Sequence, residues 1–250
     1  MDSSFYKFVL ASSEEHKKRC LPSISIDCVI FGFHKNQLKI LLLNAYDSNE
    51  WGLPGGYVGK EEDIDYSANR ILEERTGAKN IYLSQFKTFG KTNRSESFFD
   101  KFPDDLWHKQ RFISIGYYAL IDYENVSPVK DEFSELCEWK NIDDTPTLMM
   151  DHQVIFNKAL EQLRVDLNYK PVGHNLLPEK FTMPELQKLY EVILGKKLNR
   201  GNFYRKMKRF GILNKLDETR KGGAHKAPDL YSFNQENYNN ALNYGFQEIW

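Results

Sequence analysis

The sequence predicts an α+β protein made of two domains. Strand-sized apolar runs and two helical stretches fill the first part of the chain, and after a break at Pro171 the apolar residues repeat at helical spacing. From Lys180 onward there are 13 Lys and Arg residues and 7 Asp and Glu residues, whereas the chain before it carries 21 and 28. An acidic first part and a basic second part indicate different partners, and the second part suits a polyanion.

The composition is that of an ordinary water-soluble globular protein. The 250 residues are enough to bury two modest cores, and 41% of them are hydrophobic and 28% charged. Apolar runs stay well short of a membrane span, and the N-terminus has neither the basic start nor the apolar stretch of a secretory signal. Cys20, Cys28 and Cys137 lack metal-ligand spacing, which fits a reducing compartment. We therefore expect a cytoplasmic protein without membrane contact, cofactor or metal.

Local patterns predict the elements of the first part in order. Residues 1–22 are polar and are interpreted as a short helix or a loose arm. Period-2 alternation that passes into a buried run predicts a strand from Ser23. The Trp-Gly-Leu-Pro-Gly-Gly stretch at 51–56 is predicted to be a loop, and an acidic start favours a helix over 61–75 that Gly77 ends. The remaining expectations are strands at 37–43, 111–121 and 135–141 and a helix over 151–169.

The second part has a helical pattern. Thr182-Met183-Pro184-Glu185 is a capping box with proline in the first turn, which predicts a helix start. Four apolar residues then follow at i, i+3, i+4 and i+7 and predict one buried face: Leu186, Leu189, Tyr190 and Ile193. Asn199 is predicted to cap a second helix over 200–210. Two short strand-like pieces, near 212–216 and 230–233, flank a polar, basic tip.

Residues 56–78 resemble the Nudix box, whose pattern is G-x5-E-x7-R-E-U-x-E-E-x-G-U with U apolar. Seven residues match at the required spacing: Gly56, Glu62, Arg70, Leu72, Glu74, Gly77 and Ala78. The resemblance implies an α/β/α sandwich with a mixed sheet and a pocket beside the box helix. In Nudix hydrolases the glutamates of this helix bind divalent metal, which neutralises a diphosphate and activates water.

The box departs from this pattern at two carboxylate positions. The glutamate expected after Arg70 is Ile71, and the second of the paired glutamates is Arg75. Isoleucine offers no metal ligand, and arginine places a permanent positive charge where the metal would sit. Glu73 is no substitute, because one residue along a helix turns the side chain by about 100°. We therefore expect no catalytic residues here, and a structural role for the remaining box residues: Glu62, Arg70 and Glu74.

The second helix of the basic part has one apolar and one basic face. Phe203, Met207 and Phe210 cluster on the apolar face. We expect the other residues to contact DNA, because Arg and Asn pair with base edges and Lys with phosphates: Arg200, Asn202, Arg205, Lys206, Lys208 and Arg209. A helix pair followed by a basic hairpin tip describes a winged helix-turn-helix. The wing is then formed by Arg220, Lys221, His225 and Lys226.

Both parts, in this order, resemble the Nudix-related transcriptional regulators. Residues 175–182, Asn-Leu-Leu-Pro-Glu-Lys-Phe-Thr, and the stretch that continues to Phe203 are similar to that family's DNA-binding half. The degenerate box is more similar to the sugar-responsive arabinose-regulator branch than to ADP-ribose-processing members. The resemblance implies a homodimer on a palindromic operator, with an effector in the Nudix pocket, a sugar or nucleotide sugar, that alters DNA affinity.

The resemblance also implies a division of the chain and a set of effector contacts. The expected parts are an N-terminal arm (1–22), a Nudix-like effector-binding domain (23–150), a connecting helix and linker (151–175) and a winged-helix DNA-binding domain (176–250). The expected effector contacts are Trp51, Gly55, Gly56, Arg70, Glu74 and Trp107.

One segment, residues 91–109, departs from the family as an unusually long insert. It holds four large aromatic residues: Phe98, Phe99, Phe102 and Trp107. Solvated, these rings would expose much apolar surface. Three interpretations stay open, namely local packing beneath the loop, a lid over the pocket that couples to switching, and a dimer contact.

Two alternative functions differ from a ligand-responsive regulator in class. One is an active Nudix hydrolase of nucleoside-diphosphate derivatives with an accessory basic domain, which Ile71 and Arg75 disfavour. The other is a scaffold for protein interactions, which the basic helix and wing disfavour. The sequence names neither the effector nor the operator, and it does not distinguish a repressor from an activator.

Overall fold

The computed structural model describes residues 3–46, 49–77, 81–131, 133–171, 173–220 and 227–246. The chain forms two compact units. One comprises Met1–Gly32 and Lys39–Ala159, and the other comprises Phe33–Leu38 and Leu160–Trp250. No described helix has the length and apolar character needed to cross a membrane.

A mixed sheet organises the first unit. Its strands, in chain order, are β1 (Cys20–His34), β2 (Gln37–Ala45), β3 (Trp51–Gly52), β4 (Gly55–Gly59), β5 (Tyr82–Phe89), β6 (Ile113–Ile121) and β7 (Ser134–Asn141). The order is β3-β2-β1-β6-β5, while β4 also pairs with β1 and β7 with β2. β1 and β6 are parallel, whereas β1–β4, β2–β3, β2–β7 and β5–β6 are antiparallel pairs. The predicted mixed sheet is therefore confirmed.

The helices of the first unit are α1 (Ser3–Arg19), α2 (Ile64–Thr76) and the start of α3 (His152–Asp166). β6 is buried along almost all of its length and β1 over residues 26–32, which explains the apolar runs in these two strands. α2 packs Ala68, Ile71 and Leu72 into this core. It begins after the N-cap residue Asp63, and Gly77 ends it in the left-handed conformation with φ 68°.

The prediction of a loop at 51–56 was wrong, because residues on both sides of Leu53-Pro54 pair with the sheet. Trp51–Gly52 forms β3, and Gly55–Gly59 pairs antiparallel with β1. The glycines that favoured a loop instead permit close approach. A Cβ at Gly55 would lie 2.8 Å from the Ile26 carbonyl oxygen, and one at Gly56 would lie 3.0 Å from Ile71 Cδ1. Glycine in a strand marks close packing of this kind.

The second unit is a winged helix. In chain order it consists of β8 (Phe181–Thr182), α4 (Met183–Leu194), α5 (Arg200–Arg209), β9 (Leu213–Thr219), β10 (Asp229–Phe233) and α6 (Gln235–Tyr244). The three strands form a small sheet in the order β8-β10-β9. The predicted capping box is confirmed, since Thr182 accepts from the Glu185 amide and Glu185 accepts from the Thr182 amide. The predicted buried face of α4 is confirmed as well. Tyr190 on this face meets Phe203 of α5 edge to face, at 5.3 Å between ring centroids.

Candidate effector cavity and DNA-binding helix

The first unit encloses a cavity of about 950 Å³. This is near the upper limit of typical ligand pockets, about 300–1,000 Å³. Residues of α1, β1, β4, α2 and the 91–109 segment line it. Its charged lining consists of seven basic residues, Lys18, Arg19, Lys60, Arg70, Arg75, Arg94 and Lys130, and six acidic residues, Glu15, Asp27, Glu61, Glu62, Glu74 and Asp131. A cavity of this size with a charged lining of both signs suits a polar ligand larger than a monosaccharide.

Beside the cavity, the surviving box residues form a hydrogen-bonded brace. Arg70 donates to both carboxylate oxygens of Glu62 at 2.8 Å and to the Tyr57 carbonyl at 3.0 Å. Glu62 also accepts from the Gly59 amide and the Ser67 hydroxyl. The Arg70 hydrogen bonds, helped by those of Ser67 and Gly59, lower the pKa of Glu62 to about 2. The brace holds the loop after β4 on the start of α2.

The box residues do not fit a divalent cation. Ile71 is fully buried in the core and touches Gly56, so its position supplies no ligand. Glu74 is engaged with Arg70 at 3.4 Å. Arg75 lies at the cavity with its guanidinium 3.7 Å from Asp131 and a buried Nε without a hydrogen-bond partner among the described residues. Within the described part of the chain, no three His, Cys, Asp or Glu side chains converge as a metal site.

Four of the six expected effector contacts line the cavity: Gly55, Gly56, Arg70 and Glu74. The other two, Trp51 and Trp107, do not line this cavity. Trp51 in β3 stacks against the Lys140 ammonium, 4.1 Å from the ring centroid. Trp107 is buried behind the wall, with its ring 4.5 Å from Tyr57 and 4.9 Å from Phe112. Its apolar area stabilises the wall itself and does not face the ligand space.

A buried ion cluster in the wall was not predicted. Arg94 bonds Asp27 at 3.0 Å and Asp151 at 2.8 and 2.9 Å, and only 3% of its side chain is exposed. His152 accepts from the Leu53 amide, and burial lowers its pKa. Arg94, Asp27 and His152 line the cavity. The cluster fixes the start of the 91–109 segment to β1 and α3.

The remaining aromatic residues of the 91–109 segment pack mainly against α1. Phe102 stacks on Tyr6 at 5.2 Å and forms a buried cluster with Val9 and Leu106. The Trp107 amide donates to the Ser13 hydroxyl. Local packing therefore accounts for Phe102 and Trp107, whereas Phe99 reaches the cavity.

In the second unit, α5 presents its polar side chains to solvent as predicted. All six candidate residues of this helix are exposed: Arg200, Asn202, Arg205, Lys206, Lys208 and Arg209. Phe203 and Met207 anchor the opposite face. Of the predicted wing, Arg220 pairs with Glu185 and the Lys180 carbonyl. Lys221, His225 and Lys226 lie outside the described residues, as does Ala78 of the box.

A Nudix-fold unit with a large charged cavity, followed by a winged helix with a basic exposed helix, defines a class of ligand-binding, DNA-binding proteins. Comparison with known proteins supports this class. Residues 21–159 match the NUDIX domain, and residues 173–233 match the NrtR DNA-binding winged helix domain. The chain belongs to the NrtR-type Nudix-related transcriptional regulators.

Individual relatives match over nearly the whole chain. The ADPR responsive transcriptional repressor NtrR of Acinetobacter baylyi is 30% identical over 87% of this chain and 84% of its own. The crystal structure of Shewanella oneidensis NrtR is 27% identical, with a TM-score of 0.71 over 90% of this chain and 98% of that chain. The same protein complexed with a 27mer DNA is 26% identical, with a TM-score of 0.70 over 90% and 97%.

Proposed function

We propose that this protein is a transcriptional repressor that responds to a nucleoside-diphosphate sugar of the ADP-ribose class. Its first unit binds the effector, and its winged helix binds a palindromic operator as a homodimer in the cytoplasm. The Acinetobacter baylyi relative is described as ADPR responsive and as a repressor, and the Shewanella oneidensis relative was crystallised with DNA. Among the sugars and nucleotide sugars considered from the sequence, these relatives favour a nucleotide sugar.

The observation that carries the proposal is the position of Arg75. Its guanidinium lies at the cavity, at the box position where hydrolases place a metal-binding glutamate. The ion pair with Asp131 is long, and the buried Nε has no acceptor among the described residues. A guanidinium binds phosphate oxygens through paired hydrogen bonds and always carries its charge. Arg75 is therefore suited to neutralise a diphosphate directly, in the role that a metal ion has in hydrolases.

The same arrangement supports sensing without hydrolysis. Attack on a diphosphate needs an activated water, which Nudix hydrolases obtain from metal held by converging carboxylates. Here Ile71 is buried, and the Glu62 and Glu74 carboxylates are engaged with Arg70. An intact effector that binds and leaves again gives a reversible signal.

The test uses the full chain, ADP-ribose and a duplex recovered by selection from random DNA. We expect calorimetry to show ADP-ribose binding in the presence of EDTA, and anisotropy to show that ADP-ribose weakens binding of the selected duplex at fixed salt. L-arabinose serves as the comparison ligand. Turnover of ADP-ribose at about 1 s⁻¹ with Mg²⁺ or Mn²⁺, within the ordinary enzyme range, would contradict the proposal that the protein senses ADP-ribose without hydrolysing it. A response to arabinose alone would contradict the effector class.

A further inference from the structure

The β9–β10 hairpin of the second unit is tied to the start of α4 by side chains that reach across a strand. In the small sheet, β10 lies between β8 and β9. The Lys180 ammonium, just before β8, nevertheless donates to both carboxylate oxygens of Glu218 in β9, at 2.7 and 2.9 Å. Arg220, just after β9, donates to the Glu185 carboxylate of α4 and, at 3.2 Å, to the Lys180 carbonyl. Two side-chain bridges therefore join the end of β9 to the segment that begins α4.

Glu185 takes part in both the helix cap and the bridge to Arg220. One carboxylate oxygen, Oε2, accepts from the Thr182 amide at 2.7 Å and from the Thr182 hydroxyl at 2.9 Å. The other oxygen, Oε1, accepts from Arg220. A capping box requires only the first of these oxygens, and it is formed by glutamine as well as by glutamate. The cap thus fixes the direction of the carboxylate oxygen that Arg220 binds.

The hydrogen bonds of Arg220 bear on the expectation that this residue contacts DNA. Its amide donates to the Pro228 carbonyl at 3.1 Å across the hairpin, so its backbone and its side chain are both engaged within the fold. The side chains of Arg220 and Glu185 are 44% and 37% exposed, and an ion pair this exposed changes an equilibrium by about fivefold at most. A guanidinium held by a carboxylate and a carbonyl nevertheless has a fixed direction. These contacts suit a residue that orients the hairpin.

We propose that Arg220 is a positioning residue that, through Glu185 and the Lys180 carbonyl, holds the β9–β10 hairpin on the start of α4 and does not itself bind a DNA phosphate. β9 begins at Leu213, shortly after α5 ends at Arg209, so the direction of the hairpin determines whether helix and hairpin meet the same duplex. A hairpin that is already held in place loses less conformational entropy when DNA binds. This inference rests on the proposed function, because it requires that the winged helix binds an operator.

Glu185→Gln is the sharpest test, because glutamine keeps the capping box and removes the charge that Arg220 binds. We expect the affinity for the selected duplex to fall about twofold to fivefold, while its dependence on salt concentration keeps the parental slope. If Arg220 were instead a DNA contact restrained by Glu185, its release would strengthen DNA binding and steepen the slope. Glu236→Gln, at an exposed glutamate of α6 in the same unit, is the matched control for the loss of one negative charge.

Arg220→Gln and the double variant Glu185→Gln/Arg220→Gln complete a mutant cycle. We expect Arg220→Gln to weaken binding as much as Glu185→Gln does, again with the parental salt slope. The double variant should bind no more weakly than either single variant, because both residues act through one bridge. A salt slope reduced by about one unit in Arg220→Gln would show a phosphate contact, and additive losses would show independent roles. Either result overturns the proposal.

The outcomes separate this inference from the proposed function. If selection from random DNA yields no duplex that the parent binds, both the proposed function and the positioning role fail. If the parent binds the selected duplex, and Glu185→Gln and Arg220→Gln bind it as tightly, the positioning role alone is refuted. Anisotropy titrations of the full chain at three or more salt concentrations measure both the affinity and the slope.

Discussion

The helices α2 and α5 use basic side chains in opposite ways. In α2, Arg70 and Arg75 are half-buried, and their guanidinium groups pair with Glu62, Glu74 and Asp131. In α5, five basic residues accompany no acidic one, and all five are exposed. Paired, half-buried charges have fixed directions and little salt screening, whereas exposed charges of one sign attract a polyanion over a distance. We therefore expect α2 to recognise the shape of its ligand and α5 to bind DNA in a salt-dependent way.

The largest effect is expected at Arg75. Arg75→Glu reverses the charge at the cavity, so ADP-ribose affinity should fall about a hundredfold or more, through loss of charge-assisted hydrogen bonds and added repulsion. Calorimetry at two salt concentrations measures it, and DNA affinity without effector should stay at the parental value. Lys101→Ala, an exposed basic residue of the same unit, is the control. If Arg75→Glu binds ADP-ribose as tightly as the parent, the proposal that Arg75 binds the diphosphate is refuted.

The next largest effect is expected on the DNA affinity of α5. Arg205→Ala should cost about 1–3 kcal/mol on the selected duplex if the guanidinium reads a base edge. Asn202 accepts a hydrogen bond from Arg205, so the two act as a unit. Anisotropy with the selected duplex and a scrambled duplex measures the change. An equal loss on both duplexes would show a phosphate contact, and no loss on either would show that α5 is not the recognition helix.

A smaller effect concerns the stability of the brace. The lowered pKa of Glu62 means that its stabilising contribution is present above the usual glutamate range, and is lost as the pH falls from about 4.5 toward about 2. Glu62→Gln should destabilise the first unit by about 1–3 kcal/mol near neutral pH, because Arg70 loses its charged partner. Thermal unfolding at about pH 7 and about pH 3 should show the difference from the parent narrowing in acid. A difference independent of pH would contradict this role.

The smallest effect distinguishes exposed charges from paired ones. Lys206→Ala should weaken binding of all duplexes alike and reduce the salt slope of DNA affinity by about one unit, as for the loss of one phosphate contact. Lys180→Ala tests the other case, since Lys180 is bonded to Glu218 at 2.7 and 2.9 Å. We expect the DNA affinity of Lys180→Ala to depend on salt concentration with the same slope as that of the parent. Equal slopes for all three proteins would contradict the assignment of Lys206.

Sequence periodicity predicted the elements that depend on neighbours along the chain. The buried face of α4, its capping box and the C-cap glycine of α2 follow from local spacing, because a helix requires them within one or two turns. The resemblance of residues 56–78 to the Nudix box also predicted the fold, whereas the loss of metal binding that Ile71 and Arg75 indicate stays a prediction. Residues 1–22 were left open between helix and arm, and most of them form α1.

Tertiary structure alone decided how distant segments build the cavity. Arg94 stands in a polar stretch with no local signal, yet it bonds Asp27, 67 positions away in the chain. The strand at Gly55–Gly59 exists because β1 pairs with it, although its glycines favour a loop in isolation. The position of α1 determines which aromatic residues of the 91–109 segment pack against it and which line the cavity. Local propensity fixes conformation over a few residues, whereas burial and ion pairing depend on which segments the fold brings into contact.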